Sequence, residues 1–274
     1  MPEPLVVFVG FDARQQRAWR ACRESLLART RAPVLVRPLV RSALTHAGLY
    51  RRPWRIEAGQ EIDLTDGRPF ATAFAFSRFL VPALCQWRGQ ALFCDSDFLW
   101  RADVAELFDL ADPGLAVSCV KHRHAPVETV KMRGQAQGRY PRKNWSSLVL
   151  WQAGHPANRR LTSERVNSAP GRWLHGFGWL EDAEIGELPE AWNWLEGHSD
   201  PTIPPKAVHY TRGTPDMPGH EHAAYAAEWW AAAGAAPAPV QSQSVIAGRH
   251  GRRSDPGATG GEPGLLRAAA RRSQ

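Results

Sequence analysis

ALFCDSDFLW, residues 91–100, decides how this chain is read. Ala91–Cys94 is a short apolar run of the kind that forms a buried strand. Asp95 and Asp97 follow at once, and the apolar Phe98, Leu99 and Trp100 close behind them. In extended backbone, residues i and i+2 project to the same side. The spacing therefore predicts two carboxylates side by side at the carboxyl end of a strand. Polar groups wedged between hydrophobic runs are costly, and two like charges repel unless a cation lies between them. A hard divalent ion, Mn²⁺ or Mg²⁺, suits that position, because it takes carboxylate oxygens together with phosphate oxygens of a substrate. Strand ends in α/β sheets are also where ligands collect. A bare Asp-x-Asp reads better as turn acids; the hydrophobic runs on both sides move the balance to the ligand reading.

The flanking segments supply a sheet for that strand. Leu5–Val9 is a continuous apolar, β-branched run bounded by Pro4 and Gly10, which reads as a buried parallel strand. Gly10 would let the backbone turn sharply at its end. Arg14–Ala28 carries Trp19, Cys22, Leu26 and Leu27 at helical spacing, and Pro33–Leu39 is a second apolar run. Strand, helix, strand in this order predicts a βαβ unit and a parallel sheet. Further strands are expected at Leu115–Val120 and Ser147–Trp151, with a short apolar patch at Val208–Tyr210. Helical stretches are expected at Phe74–Leu84 despite Pro82, at Leu161–Asn167 and at His222–Ala233, where Gly234 is a natural stop. Val104–Leu110 reads as a short helix or turn, and residues 40–66 read as loop.

Composition bounds the rest. The hydrophobic fraction of 43% and charged fraction of 22% in 274 residues fit a globular body. The net charge is +7, but six arginines against Asp255 and Glu262 place four of those seven charges after residue 234. That Gly/Pro/Ser-rich stretch buries too little apolar surface to fold, so the chain divides into a body, 1–234, and a disordered basic tail, 235–274. The mildly basic body suits an anionic substrate, and no nucleic-acid partner is expected. The end of the tail, GLLRAAARR, could rest on a membrane surface. Cys22, Cys85, Cys94 and Cys119 form no CxxC pair and fit free thiols in a reducing compartment. The opening MPEPLVVFVGFD lacks a basic leader and no apolar run approaches bilayer length, so a cytoplasmic chain, at most peripheral at the inner face of the membrane, is expected.

Six segments in order, VFVGFD, FAFSRFLVP, ALFCDSDFLW, KNWSSLVLW, ELPEAWNWLEG and HYTRGTPDMPG, resemble the GT-A glycosyltransferases of family 8, the glycogenin and bacterial lipopolysaccharide sugar transferase type. The resemblance spans roughly residues 5–220. It implies a Rossmann-like, mixed but mostly parallel sheet flanked by helices. It also implies a retaining hexosyl transfer from a UDP-sugar to a glycan or lipid-linked acceptor, with Mn²⁺ or Mg²⁺ held by Asp95, Asp97 and His209. Gly10, Phe11 and Asp12 would lie by the uracil and ribose, although Asp12 serves equally as a helix N-cap. Arg78 would contact the donor's diphosphate or sugar; alternatively it pairs with a structural carboxylate such as Asp95.

Ser146 stands where the family carries Asn, and with Ser147 it would meet sugar hydroxyls. Glu181 and Asp182 are the candidates for a degenerate acidic element near the transferred sugar, or they are surface acids. Asn193 and the surrounding tryptophans would shape the pocket floor. Arg212 and Gly213 match the family's C-terminal element in type and order, with Arg212 or Lys206 replacing its missing Lys. The catalytic set is thus Asp95, Asp97 and Arg78. Two other classes stay open: a nucleotidyltransferase using the same acidic pair, weakened by GFDARQQR having no Gly-rich phosphate loop, and a non-catalytic basic protein binding nucleic acid or a membrane surface.

Overall fold

The computed structural model describes residues 3–122, 142 and 144–234. The expected tail, 235–274, lies outside the described residues.

Strand β1 (Leu5–Phe11) leads through a short turn into helix α1 (Gln16–Arg29) and strand β2 (Val34–Val40). Helix α2 (Arg41–His46) and an antiparallel three-stranded sheet follow, made of β3 (Trp54–Glu57), β4 (Gln60–Asp63) and β5 (Arg68–Pro69). A turn at Ser77–Leu80 and helix α3 (Val81–Leu84) precede β6 (Gln90–Cys94) and β7 (Phe98–Trp100). Then come α4 (Ala105–Phe108), β8 (Val117–Cys119), β9 (Leu148–Gln152), α5 (Ser163–Ser168) and α6 (Gly171–His175). Short strands β10 (Ile185–Glu187), β11 (Trp194–Leu195) and β12 (Ala207–His209) lead to α7 (Ala226–Ala233).

The six-stranded sheet has the order β10-β8-β9-β6-β1-β2. Neighbours β2, β1 and β6 run parallel, as do β8 and β10, while β9 runs against both β6 and β8. Pro38 sits in β2, at the sheet edge, where the missing N–H costs no ladder bond. Both faces of the sheet are covered, and side chains sort between them with period two. Phe8, Phe93, Val149 and Trp151 face one core with Phe79 and Trp179. Val7, Val9, Leu92, Cys94, Leu148 and Leu150 face the other, with Cys22 and Leu26 of α1. Each fully buried side chain of this kind contributes about 1.5–3 kcal/mol.

The chain passes from β1 outward to β2 and returns on the other side of β1 as β6. This reversal makes the carboxyl ends of β1 and β6 the topological switch point of the sheet, where ligands of α/β sheets sit. Val9 is in register with Cys94, so Phe11 and Asp12 share one edge of the sheet with Asp95.

Three sequence expectations are corrected. Residues 40–66 are ordered, because Ala58 and Gly59, at φ 46° and 77°, close a tight hairpin between β3 and β4. Phe74–Leu84 is a 3-10 turn followed by one α-helical turn, with Pro82 starting that helix as a proline at N1 or N2 can. Gly10 lies within β1 without a positive φ, and what it provides is room. A Cβ there would lie 2.4 Å from the Phe74 ring. Gly10→Ala is therefore expected to cost about 1–3 kcal/mol in urea unfolding, the usual cost of overpacking a core.

Candidate metal centre

The acidic pair is placed by backbone pairing. Asp95 N–H continues the β6–β9 ladder by donating to the Ser147 carbonyl (2.9 Å). After the two-residue step Ser96–Asp97 the chain re-enters a sheet as β7, in a second sheet of order β11-β12-β7. His209 of β12 is in register with Phe98, and Tyr210 N–H donates to the Asp97 carbonyl (3.0 Å). That register sets an imidazole beside the second aspartate. Phe98 stacks on the His209 ring at 4.4 Å between centroids and 19° between planes.

Asp95, Asp97 and His209 each offer one ligand atom, all within 4.8 Å of one another. Bonds of about 2.0–2.1 Å around an octahedral ion leave ligand atoms about 3 Å apart in cis and about 4.2 Å apart in trans, so the group is sized for one dication after small adjustments. Asp95 Oδ1 and Asp97 Oδ1 are buried, and the Arg78 guanidinium reaches the first of them. Two buried carboxylates beside a single arginine keep an excess negative charge, which is costly, and facing one imidazole nitrogen they fit a hard or borderline cation. His209 Nε2 is 3.4 Å from Asp97 Oδ1.

Arg78 is buried against Asp95, its Nη1 2.7 Å from Oδ1. The same guanidinium donates to the carbonyls of Ser146 (2.8 Å) and Ala75 (3.1 Å) and lies over the rings of Phe93 and Phe74. The pairing with Asp95, left open by the sequence, is the contact observed. Burial, reinforced by the Asp97 charge, pushes the Asp95 carboxyl up to about 6 despite Arg78 and His209.

Asp12 has the opposite balance. Burial would raise it, but the Arg14 side chain and the backbone amides of Arg14 and Ala73 outweigh burial and hold it at about 2. All four of those hydrogen bonds lie between 2.6 and 3.0 Å. The N-cap alternative is thus the contact observed: the carboxylate clamps the exit of β1 to Ala73. The two groups give opposite pH slopes. Asp12 stabilisation is complete above about pH 4 and lost as pH falls towards 2, worth on the order of 2 kcal/mol. Asp95, charged and unwelcome above its raised pKa, lowers stability as pH climbs from about 4 to 6. Urea midpoints of metal-free protein are expected to peak near pH 4, and Mn²⁺ to abolish the fall above it.

Ser146 and Ser147 are buried with their hydroxyls engaged, Ser146 Oγ 2.8 Å from His175 Nδ1 and Ser147 Oγ donating to the Asn144 carbonyl (2.7 Å). Asn193 is fully buried and lies between Ser147 and His209 rather than on an open pocket floor. Asp182 stands outside the gathered group: its side chain is 89% exposed and paired with Arg142. It belongs to a turn closed by a capping box between Glu181 and Glu184, so the surface-acid alternative describes both residues' surroundings. Phe11 packs edge-on against Trp19. Gly213 is buried, where a Cβ would meet the His220 ring at 2.5 Å; Arg212 is exposed and packs over Gly197. Lys206 is engaged by Glu106. Trp100, Trp151, Trp192 and Trp229 are core residues. His175 is a contact that sequence reasoning missed.

The fold places the chain in a known class. It is similar to the bifunctional glycosyltransferase WbbM (TM-score 0.57, 15% identity, 86% of this chain and 50% of that one). It is also similar to the glycosyltransferase GlyE of Streptococcus pneumoniae TIGR4 (0.54, 14%, 85% and 60%). A third similar structure is the galactosyltransferase LgtC solved with donor and acceptor sugar analogues (0.52, 15%, 84% and 95%). The chain spans about half of WbbM and three fifths of GlyE. This is the GT-A glycosyltransferase fold, with the acidic pair at the switch point of its sheet. No protein-family model matches the chain. It belongs to the family of Protein CDI from Arabidopsis thaliana, to which it is 47% identical over 232 residues, 83% of this chain and 85% of that protein.

Proposed function

We propose that the protein is a metal-dependent glycosyltransferase that moves a hexose from a UDP-sugar to a glycan or lipid-linked acceptor, holding Mn²⁺, or Mg²⁺ in its place, between Asp95, Asp97 and His209. The observation that carries the reading is the pair of carboxylates, their Oδ1 atoms buried, facing an imidazole at the carboxyl ends of β1 and β6. A nitrogen ligand favours Mn²⁺ over Mg²⁺.

In the reaction the bond from the sugar's anomeric carbon to the diphosphate breaks, its electron pair leaving with UDP, and the acceptor oxygen bonds to that carbon and passes its proton to the departing phosphate. When bound, the cation supplies positive charge for the departing diphosphate. Asp95, Asp97 and His209 hold it there. Arg78, buried and fixed on two carbonyls, orients Asp95; we assign it to positioning rather than to the donor. Gly10, Phe11 and Asp12 border the nucleotide side of the site, with Asp12 shaping the loop through its clamp. Arg212 and Gly213, three and four residues beyond His209, flank the phosphates. Retention of anomeric configuration follows the family 8 resemblance.

The test is a panel of UDP-sugars incubated with Mn²⁺ or with EDTA and followed by UDP release. One donor is expected to give release that needs the metal, and a chain truncated after residue 234 is expected to keep it. Absence of binding by every sugar nucleotide, with or without metal, would overturn the reading.

A further inference from the structure

The structure assigns Asn193 and Ser147 to a relay that keeps the proton of His209 on Nδ1 and so turns the Nε2 lone pair towards the acidic pair. This rests on the metal reading above and extends it to residues that would touch neither metal nor substrate.

The direction of each hydrogen bond is forced by the end of the chain. A backbone carbonyl only accepts, so Ser147 Oγ, 2.7 Å from the Asn144 oxygen, must spend its proton there. The Ser147 oxygen is then left as an acceptor, and Asn193 Nδ2 donates to it at 3.0 Å. That fixes the Asn193 amide with Oδ1 towards His209 Nδ1, 2.9 Å away. An oxygen facing that nitrogen requires an N–H on it. The opposite tautomer would set two lone pairs against each other or turn the amide over, pulling the serine proton off the Asn144 carbonyl.

Burial removes the escape routes. Asn193, Ser147 and His209 are 0%, 4% and 3% exposed, so water does not replace a lost partner. The Phe98 stack keeps the imidazole from swinging its other edge round. Pairing of β11 with β12 sets Asn193, just before β11, against His209.

The same turn also serves Asp95. The Ser147 carbonyl accepts Asp95 N–H, and the Ser146 carbonyl holds the arginine that pairs with the Asp95 carboxylate. Asn144, at φ 63°, sits in the left-handed region that Asn tolerates and starts this turn. Residues 144–147 therefore position Asp95 through backbone and His209 through the relay. Partners of this kind typically govern metal affinity by about 10- to 100-fold.

The experiment uses the full chain with Mn²⁺ alone. Free Mn²⁺ is followed by electron paramagnetic resonance during titration of wild type, Asn193→Ala, Asn193→Asp and Ser147→Ala. Long-range ¹H–¹⁵N correlation spectra of the metal-free wild type read the His209 ring directly, a measurement that needs no variant to fold. We expect a proton on Nδ1 in wild type and about 10- to 100-fold weaker Mn²⁺ binding by Asn193→Ala. Asn193→Asp, which keeps an oxygen facing Nδ1, should retain most of the affinity, and Ser147→Ala should fall between. A wild-type ring with a bare Nδ1, or Asn193→Ala binding as tightly as wild type, overturns the relay while leaving the metal reading intact. A wild-type chain that binds no Mn²⁺ overturns the metal reading itself, and the relay with it.

Discussion

Asp97→Ala is expected to lose Mn²⁺ binding and at least about 10³-fold in metal-dependent UDP release, the loss of about 4 kcal/mol of charge stabilisation at the leaving group. Its folding should not suffer. In metal-free wild type, the Asp97 charge disfavours the Asp95 carboxylate beside it, so removing one charge relieves repulsion. The metal-free variant should therefore unfold at or above the wild-type temperature, and only the stabilisation added by Mn²⁺ should vanish. A variant that kept a tenth or more of wild-type release would mean that Asp97 is a turn residue after all.

Arg78→Leu carries the largest expected effect on stability. Arg78 is buried, and its removal leaves the Asp95 carboxylate and two carbonyl oxygens, of Ser146 and Ala75, without their cationic partner. Breaking one side of a buried pair costs about 3–5 kcal/mol, readable as a shift of the urea midpoint at neutral pH. Arg78→Lys should recover little of this, since one ammonium cannot serve three acceptors in the plane of a guanidinium. Asp95→Asn in the Arg78→Leu background should recover much of the loss, because the uncompensated charge is then gone. A cost below about 1 kcal/mol would place the pair among solvent-screened surface bridges.

These two residues also mark how far the sequence could be read. Asp95 and Asp97 were legible because a strand run and an i, i+2 spacing are local patterns, and local patterns determine which side of a strand a residue faces. Arg78 was legible as an arginine in an apolar segment that needed an anion, but its partner was left open between substrate and Asp95, since only packing decides it. Asn193 was legible as a residue near the site, whereas its task depends on hydrogen bonds to positions 16 residues ahead and 46 behind, which no spacing encodes.

The sheet β3–β5 escaped notice for a different reason. Trp54 and Ile56 do alternate with Arg55 and Glu57, but the run is only four residues long and every one of them is exposed, Ile56 at 68%, so no buried face marks it as a strand. The hairpin turn is Ala-Gly rather than the stronger Asn-Gly signal. Gly10 was read as a turn, yet its requirement comes from Phe74, 64 residues away in the chain. Asp182 drew attention by being acidic, and its exposure and its pairing with Arg142 are three-dimensional facts. The parallel sheet itself was legible from β1, α1 and β2, because continuous apolar runs separated by a helical period have few other uses.

The most direct test is anomalous diffraction at the manganese edge from crystals soaked in Mn²⁺ and UDP. A single strong peak about 2.2 Å from an oxygen of Asp95, an oxygen of Asp97 and Nε2 of His209 is the predicted result. A peak bound elsewhere, or none at these three groups with UDP seated at the carboxyl ends of β1 and β6, would contradict the account.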